Sequence, residues 1–117
     1  DPWCAEELTQ RLELEHGLPR TKFKQTITSF AAPTAEMERL VLNGNLEHNG
    51  HAVLTWQALH TQVKADNNNN YRPVKPPHSD PKKIDGIVAA IMALSRAMSE
   101  DGQPNLRYYE QNEIELL

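Results

Sequence analysis

The chain has 117 residues, a formal charge of −4, 38% hydrophobic residues and 6% aromatic residues. This length allows one domain, or part of one, and excludes a second catalytic lobe. A single cysteine, Cys4, excludes an internal disulfide and a cysteine-rich zinc site. Because no apolar run approaches the ~20 residues that span a bilayer, we expect a soluble, cytoplasmic protein with no membrane partner.

Charge is distributed unevenly along the chain. Residues 99–117 hold five acidic residues and one basic residue, so we assign them to an acidic C-terminal tail and residues 1–98 to the folded part. The stretch 71–85 carries four basic and two acidic residues, and this local positive excess suits contact with phosphate. The mean hydropathy of −0.66 predicts a small core. The start on Asp1 and Pro2, without a leading methionine, is expected of a segment cut from a longer protein.

Two helices and a strand are predicted in the first part of the chain. Helix formers over residues 5–15, followed by Gly17, predict the first helix. Residues 21–29 alternate apolar and polar side chains and predict a short half-buried strand. A second helix is predicted over residues 33–42, with Pro33 near its start.

Shorter elements are predicted in the middle of the chain. Residues 51–60 follow a turn signal and predict a short helix with Val53, Trp56 and His60 on one face. The segments that follow are predicted as a strand over residues 62–65, a turn at the four asparagines 67–70, and an edge strand or extended loop over residues 74–77.

The last predicted helix begins at Pro81, with Ser79 or Asp80 as its N-cap. Asp85 lies at the rim of its apolar stripe, and the adjacent Gly86 removes a side chain, so that another backbone or a ligand can approach closely. We expect this helix to be the central buried element. Its stripe consists of Ile84, Ile87, Val88, Ile91, Leu94 and Met98.

Two aspartates are candidate metal ligands. The helix dipole and neighbouring lysines favour the ionised form of Asp85, which a hard divalent cation requires. The alternative is a solvated surface acid that interacts with those lysines. Asp1 is either a second ligand or the N-cap of the first helix. Two-metal cleavage of a phosphodiester needs several carboxylates, and two aspartates do not complete that set.

Basic and histidine side chains supply further candidates. Three lysines, Lys75, Lys82 and Lys83, suit contact with DNA phosphates, and the alternative is an ordinary solvated basic face. His48 and His51 lie three residues apart in a predicted turn, which is more typical of hydrogen-bonding loop residues than of a zinc site, so zinc is not expected. No Ser-His-Asp arrangement, phosphate-binding glycine loop or HExxH motif is present in the sequence.

The stretch K-I-D-G-I-V-A-A-I-M-A-L at residues 83–94 resembles the C-terminal nuclease domain of the large terminase subunit of tailed bacteriophages. The opening Asp1-Pro2-Trp3 resembles the family's aspartate-Pro/Arg-Trp segment, and residues 46–56 resemble its H-x-G-N-P-V-L-x-W stretch. The resemblance covers residues 1–98. The positions that fall where the family's hairpin and following lysine lie are Lys64, Asp66, Asn70 and Lys75. Four positions depart from the family's pattern: His51 stands in place of asparagine, Ala52 of proline, Gln57 of methionine and His60 of asparagine.

The resemblance implies an α/β, ribonuclease-H-like nuclease domain, incomplete here, with about three helices, a few short strands and a long C-terminal central helix. It implies that three acidic residues bind two Mg²⁺ or Mn²⁺ ions and cut concatemeric double-stranded DNA during packaging. Asp85 would be the helix-borne ligand and Asp1 the second acid, while the first acid belongs to an earlier strand. Lys75, Lys82 and Lys83 would lie near the DNA, with His48 as a weaker candidate contact.

The same resemblance implies a portal protein and a small terminase subunit as partners, in the host bacterial cytoplasm, and an isolated fragment that is inactive. The alternative is a non-enzymatic DNA- or portal-binding module from a truncated prophage terminase, which would use the basic stretch and the acidic tail. A zinc-stabilised interaction domain is the third hypothesis.

Overall fold

The computed structural model describes residues 2–77 and 81–99. The chain forms a mixed α/β arrangement with four helices and one two-stranded sheet in these ranges, where about three helices were predicted. Asp1, Ser79, Asp80 and the tail beyond Ser99 lie outside the described residues. The elements are α1 (Pro2–His16), α2 (Ile27–Leu42), α3 (Ala52–His60), β1 (Gln62–Ala65), β2 (Tyr71–Val74) and α4 (Asp85–Met98).

Helix α1 confirms the first predicted helix and depends mainly on local interactions. It ends before Gly17, whose φ of +63° suits a residue without a side chain. Arg20 then folds back onto the helix, with Nη1 2.7 Å from Glu6 Oε1 and Nε 2.8 Å from Glu13 Oε2. Leu14 is 85% exposed, so the apolar side chains of α1 do not all enter the core.

The strand predicted over residues 21–29 is wrong, because residues 21–26 form no strand and the last three residues open helix α2. Thr26 is the N-cap, and its Oγ1 accepts a hydrogen bond from the Ser29 backbone N–H at 3.2 Å. Side-chain capping of this kind favours a helix start over the extended conformation that threonine-rich segments otherwise prefer. Pro33 therefore lies inside the helix rather than near its start. The ring of Phe23 contacts that of Phe30, with a centroid distance of 4.8 Å.

The core lies where α2 packs against α4 and β2. Phe30, Ile84 and Ile91 are the buried large apolar residues in the described part, which confirms the prediction of a small core. Burial of Ile84 and Ile91 also agrees with the predicted inward stripe of α4, although Met98 at its end is 46% exposed. No helix in the described ranges is long and apolar enough to cross a bilayer.

Strands β1 and β2 form an antiparallel hairpin in which Gln62 pairs with Val74 and Ala65 with Tyr71. The strand predicted over residues 62–65 is confirmed, whereas the second strand covers residues 71–74 and so lies earlier than predicted. The turn between them is stabilised by Asp66.

The Asp66 carboxylate accepts backbone N–H groups from Asn68 and Asn70 at 2.8 and 2.9 Å, and the Asn70 side-chain amide at 3.0 Å. Asn69 has a φ of +59°, a conformation that asparagine tolerates better than most residues. The turn predicted at residues 67–70 is thus confirmed.

Helix α4 begins at Asp85, so the predicted start at Pro81 is wrong. Residues 81–84 are not helical, and Ile84 occupies the N-cap position with φ −133° and ψ 20°. Val88 donates its backbone N–H to the carbonyl of Ile84 at 3.0 Å, which closes the first turn. The later start places Asp85 in the first helical turn.

Candidate metal and nucleic-acid site

Asp85 lies at the first position of α4, and its side chain is exposed. The same helix is held in the core by Ile84 and Ile91, which are 6% and 3% exposed. A carboxylate at a helix N-terminus is stabilised by the unpaired N–H groups and the helix dipole. Asp85 therefore presents an anionic oxygen ligand to solvent from a helix whose other side is packed.

One carboxylate does not make a two-metal site. Asp85 supplies oxygen donors of the kind that Mg²⁺ and Mn²⁺ prefer, so it fits one ligand position. Within residues 2–77 and 81–99 no group of three or more histidine, cysteine, aspartate or glutamate side chains lies close enough to hold a metal ion. Asp1 is outside these ranges, so its predicted pairing with Asp85 stays a prediction. A complete site needs further carboxylates from beyond the described residues.

A basic groove lies between β2 and the segment that leads into α4. It has a volume of about 370 Å³. Lys75 is exposed at this groove, and Arg72 is half-buried with its Nε shielded from solvent and without a hydrogen-bond partner in the described part of the chain. Ile84, which also lines the groove, directly precedes Asp85. The lining residues are Arg72, Pro73, Val74, Lys75, Pro76, Pro77 and Ile84.

The groove reaches the start of α4 through Ile84, the residue before Asp85. Lys75, predicted to contact DNA, lines the groove, whereas Asp85, predicted to bind metal, is not among the lining residues. Arg72 was recognised only as part of a basic stretch and not as a site residue. Nothing in its proline-rich sequence surroundings indicated that Arg72 would line a groove.

The other predicted DNA contacts occupy two separate segments. Lys82, half-buried, and Lys83, exposed, lie in the non-helical segment just before Asp85. His48 lies in the loop between α2 and α3, where its Nδ1 accepts the backbone N–H of Gly50 at 3.0 Å. His51 caps α3 in a similar way, with Nδ1 accepting from Val53 N–H at 3.2 Å. Both imidazoles therefore stabilise local backbone turns through one ring nitrogen.

Helix α3 confirms the short helix predicted over residues 51–60, but a different face of it turns inward. Val53 and Trp56, on the predicted apolar face, are 54% and 42% exposed. The side chains that approach α4 are those of Leu54 and Gln57. This difference matters for the site because α3 meets the first turn of α4.

A close approach at Gly86 is present, but it is made by the side chain of Gln57 and not by the backbone or ligand that was predicted. The Gly86 backbone N–H donates to Gln57 Oε1 at 2.6 Å. A Cβ on residue 86 would lie 2.7 Å from that oxygen, closer than real Cβ contacts allow. Gln57 was noted in the sequence only as a departure from the resembled family, and nothing in the sequence identified it as the partner of Gly86.

Comparison with known proteins places these features in a family. The family model described as the endonuclease domain of the terminase large subunit matches residues 1–101. Protein YmfN of Escherichia coli (strain K12) is 33% identical over 108 residues, which cover 91% of this chain and 23% of that protein. The chain therefore spans about a quarter of the length of this curated relative. No solved structure matches the chain. Since the family model covers most of the residues, this chain belongs to the terminase large subunit endonuclease domain family.

Proposed function

We propose that this chain is the C-terminal part of a ribonuclease-H-like nuclease domain in a phage DNA-packaging terminase. In the complete large subunit, the domain would cut concatemeric double-stranded DNA with two Mg²⁺ or Mn²⁺ ions. The observation that carries the proposal is the exposed Asp85 carboxylate on a helix anchored in the core, whose N-cap residue Ile84 also lines the basic groove. Membership of the endonuclease-domain family supports it.

The residues of this chain have separate roles in the proposed reaction. Bound divalent ions would lower the pKa of a water molecule and stabilise the leaving oxygen of the phosphodiester. Asp85 would hold one side of that metal site, and Asp1 is proposed as the second ligand. The third acid would come from an earlier strand of the ribonuclease-H-like sheet. The incomplete carboxylate set is the reason that we expect the 117-residue chain alone to be inactive.

The basic groove is proposed to reduce the repulsion between the carboxylates of the site and the DNA phosphates. A DNA phosphate approaching Asp85 is repelled by the carboxylate, and nearby cations reduce that repulsion and raise the local concentration of the anionic substrate. Lys75 and Arg72 are proposed to contact backbone phosphates from the groove. Lys82 and Lys83 would extend this contact along the segment before α4. Such contacts position the duplex without reading its sequence.

The proposed setting is the cytoplasm of the host bacterium. The partners would be the portal protein and the small terminase subunit, which the packaging role requires. The acidic tail, residues 99–117, is proposed as the docking element for one of them, because a cluster of like charges favours a partner of opposite charge. His48 is retained as a weaker proposed contact with DNA through the ring nitrogen that the turn does not use.

The test is the Asp85→Asn variant of the complete large subunit in an Mn²⁺-dependent plasmid cleavage assay. Removing a group that merely orients a metal ligand costs about 10- to 100-fold, so loss of a direct ligand is expected to reduce cleavage at least about 100-fold. The matched control is Glu38→Gln, which neutralises an exposed acid on α2 and is expected to cleave normally. Both variants should unfold at the wild-type temperature, and normal cleavage by Asp85→Asn would refute the assignment.

The non-enzymatic alternative, a DNA- or portal-binding module, makes different predictions about salt and divalent ions. A pure binding module would bind DNA with a strong dependence on salt, would not respond to Mg²⁺ or Mn²⁺, and would be unaffected by Asp85→Asn. Under our leading proposal, plasmid cleavage by the complete subunit depends on the divalent ion and on Asp85. Comparison of the wild type with Asp85→Asn therefore distinguishes the two functions.

A further inference from the structure

The start of α4 lacks the capping group that helix termini usually have. The first backbone N–H groups of a helix have no partner within it, and a serine, threonine, aspartate or asparagine at the N-cap commonly accepts one of them. The N-cap of α4 is Ile84, whose side chain has no acceptor, and no side-chain hydrogen bond is made by this residue. The first turn, which includes Asp85, therefore needs an acceptor from elsewhere.

Gln57 supplies that acceptor from another helix. Its Oε1 lies 2.6 Å from the backbone nitrogen of Gly86, a contact between residues 29 positions apart in sequence. Both groups are partly buried, which excludes water from competing fully for the amide. Gln57 is fixed on α3, and Leu54 from the same helix also lies against this turn. The contact thus connects α3 directly to the residue that follows Asp85.

Gly86 contributes the backbone N–H to this contact and has no side chain that would obstruct it. A Cβ at residue 86 would lie 2.7 Å from Gln57 Oε1 and 3.3 Å from Leu54 Cδ1. The shorter distance would force the end of the flexible Gln57 side chain to shift, so glycine at residue 86 lets the amide oxygen reach the backbone N–H without that shift.

We propose that Gln57 is a positioning residue for the metal ligand Asp85: by capping the first turn of α4 from α3, it fixes the direction in which the Asp85 carboxylate points. This inference rests on the proposed nuclease function. A neutral amide suits the task because it accepts the Gly86 N–H without adding charge. A glutamate would cap the helix as well, but its negative charge would lie beside the carboxylate that binds the cation.

Substitutions of Gln57 separate its hydrogen bond from its volume and charge. Gln57→Met keeps a similar length and volume but removes the acceptor, and Gln57→Glu keeps the acceptor and adds a charge. Gln25→Met is the matched control, because Gln25 is exposed in the segment before α2. All three are made in the complete large subunit and compared with the wild type by hydrogen–deuterium exchange mass spectrometry and by Mn²⁺ titration of plasmid cleavage.

In Gln57→Met, the peptide covering the start of α4 is expected to exchange about fivefold faster, as expected for loss of one hydrogen bond. The Mn²⁺ concentration for half-maximal cleavage should rise by a similar factor of about five, while the rate at saturating Mn²⁺ stays within about twofold of the wild type. Gln57→Glu should restore slow exchange at this peptide. Gln25→Met should match the wild type in both measurements.

The outcomes distinguish this inference from the function on which it rests. If Asp85→Asn abolishes cleavage and Gln57→Met leaves the Mn²⁺ response unchanged, the role assigned to Gln57 is wrong and the nuclease proposal stands. A lower saturating rate and a lower unfolding temperature, with no change in the Mn²⁺ response, would show a merely structural role and also overturn the inference. If Asp85→Asn cleaves normally, both proposals fail together.

Discussion

Replacing Thr34 by valine should stabilise the protein. Thr34 lies in α2, which packs against α4 and β2, and it is 8% exposed. Its Oγ1 is shielded from solvent and has no hydrogen-bond partner among the residues that the structure describes. A buried hydroxyl without a partner costs about 1 to 3 kcal/mol in protein mutational data. Valine has nearly the same shape and a similar helix propensity, so it removes this cost without opening a cavity.

The expected gain in the free energy of unfolding is about 1 kcal/mol, the lower end of that range, because the buried site can relax around the hydroxyl. For a domain of this size, 1 kcal/mol corresponds to a rise in Tm of roughly 4 to 8 °C. The assay is thermal unfolding of the chain followed by circular dichroism, with urea unfolding as a second measure of stability.

Two further variants test the reasoning behind the valine substitution. Thr34→Ser keeps the hydroxyl but loses a buried methyl group, so it should destabilise the protein by about 0.8 kcal/mol or more. Thr55→Val makes the same chemical change at an exposed position of α3 and should change stability by less than about 0.5 kcal/mol. If Thr34→Val lowers the Tm while Thr55→Val does not, the hydroxyl has a partner and the reasoning is refuted.

Two other predictions concern the hairpin and the groove. The side-chain amide of Asn70, followed by backbone N–H groups, holds the pKa of Asp66 below its usual range. This stabilisation of the turn is complete above the unfolded-state pKa and is lost as the pH falls through the lowered folded-state pKa. The Asn70 amide resonance should therefore follow an acid titration that Asp66→Asn abolishes, and an unchanged titration in that variant would contradict the assignment. In the complete subunit, Lys75→Ala should reduce the slope of log K for DNA binding against log salt by about 1, whereas Lys24→Ala, in the exposed segment before α2, should leave it unchanged.

Periodicity and turn chemistry predicted most elements of this chain. The first helix, the helix over residues 51–60, the strand over 62–65 and the asparagine turn depend on local sequence, and the structure confirms them. The segment at 21–29 alternates apolar and polar residues as a strand does, but its capping threonine starts a helix instead. The Thr26 side chain accepts the backbone N–H of Ser29, and this one hydrogen bond favours the helical conformation of the residues that follow Thr26.

Only those features of the site that depend on one residue and its neighbours in sequence could be predicted. A lone glycine in an apolar helix indicated a close approach of another backbone or a ligand at residue 86, whereas the group that approaches is the Gln57 side chain. The identity of its partner depends on the packing of α3 against α4, which residues 29 positions apart do not reveal. Arg72 was missed for the same reason, since the groove forms only when β2 and the segment before α4 come together.

Three consecutive residues at the start of α4 face three different surroundings. Ile84 enters the core and the wall of the basic groove, Asp85 is exposed, and Gly86 meets Gln57 of α3. Ile84 is the non-helical N-cap residue, whereas Asp85 and Gly86 are the first two residues of the helix. The position of Asp85 is therefore determined by contacts of its two neighbours rather than by contacts of its own. For this reason, changes at Gln57 should affect the metal response of the site although Gln57 supplies no ligand.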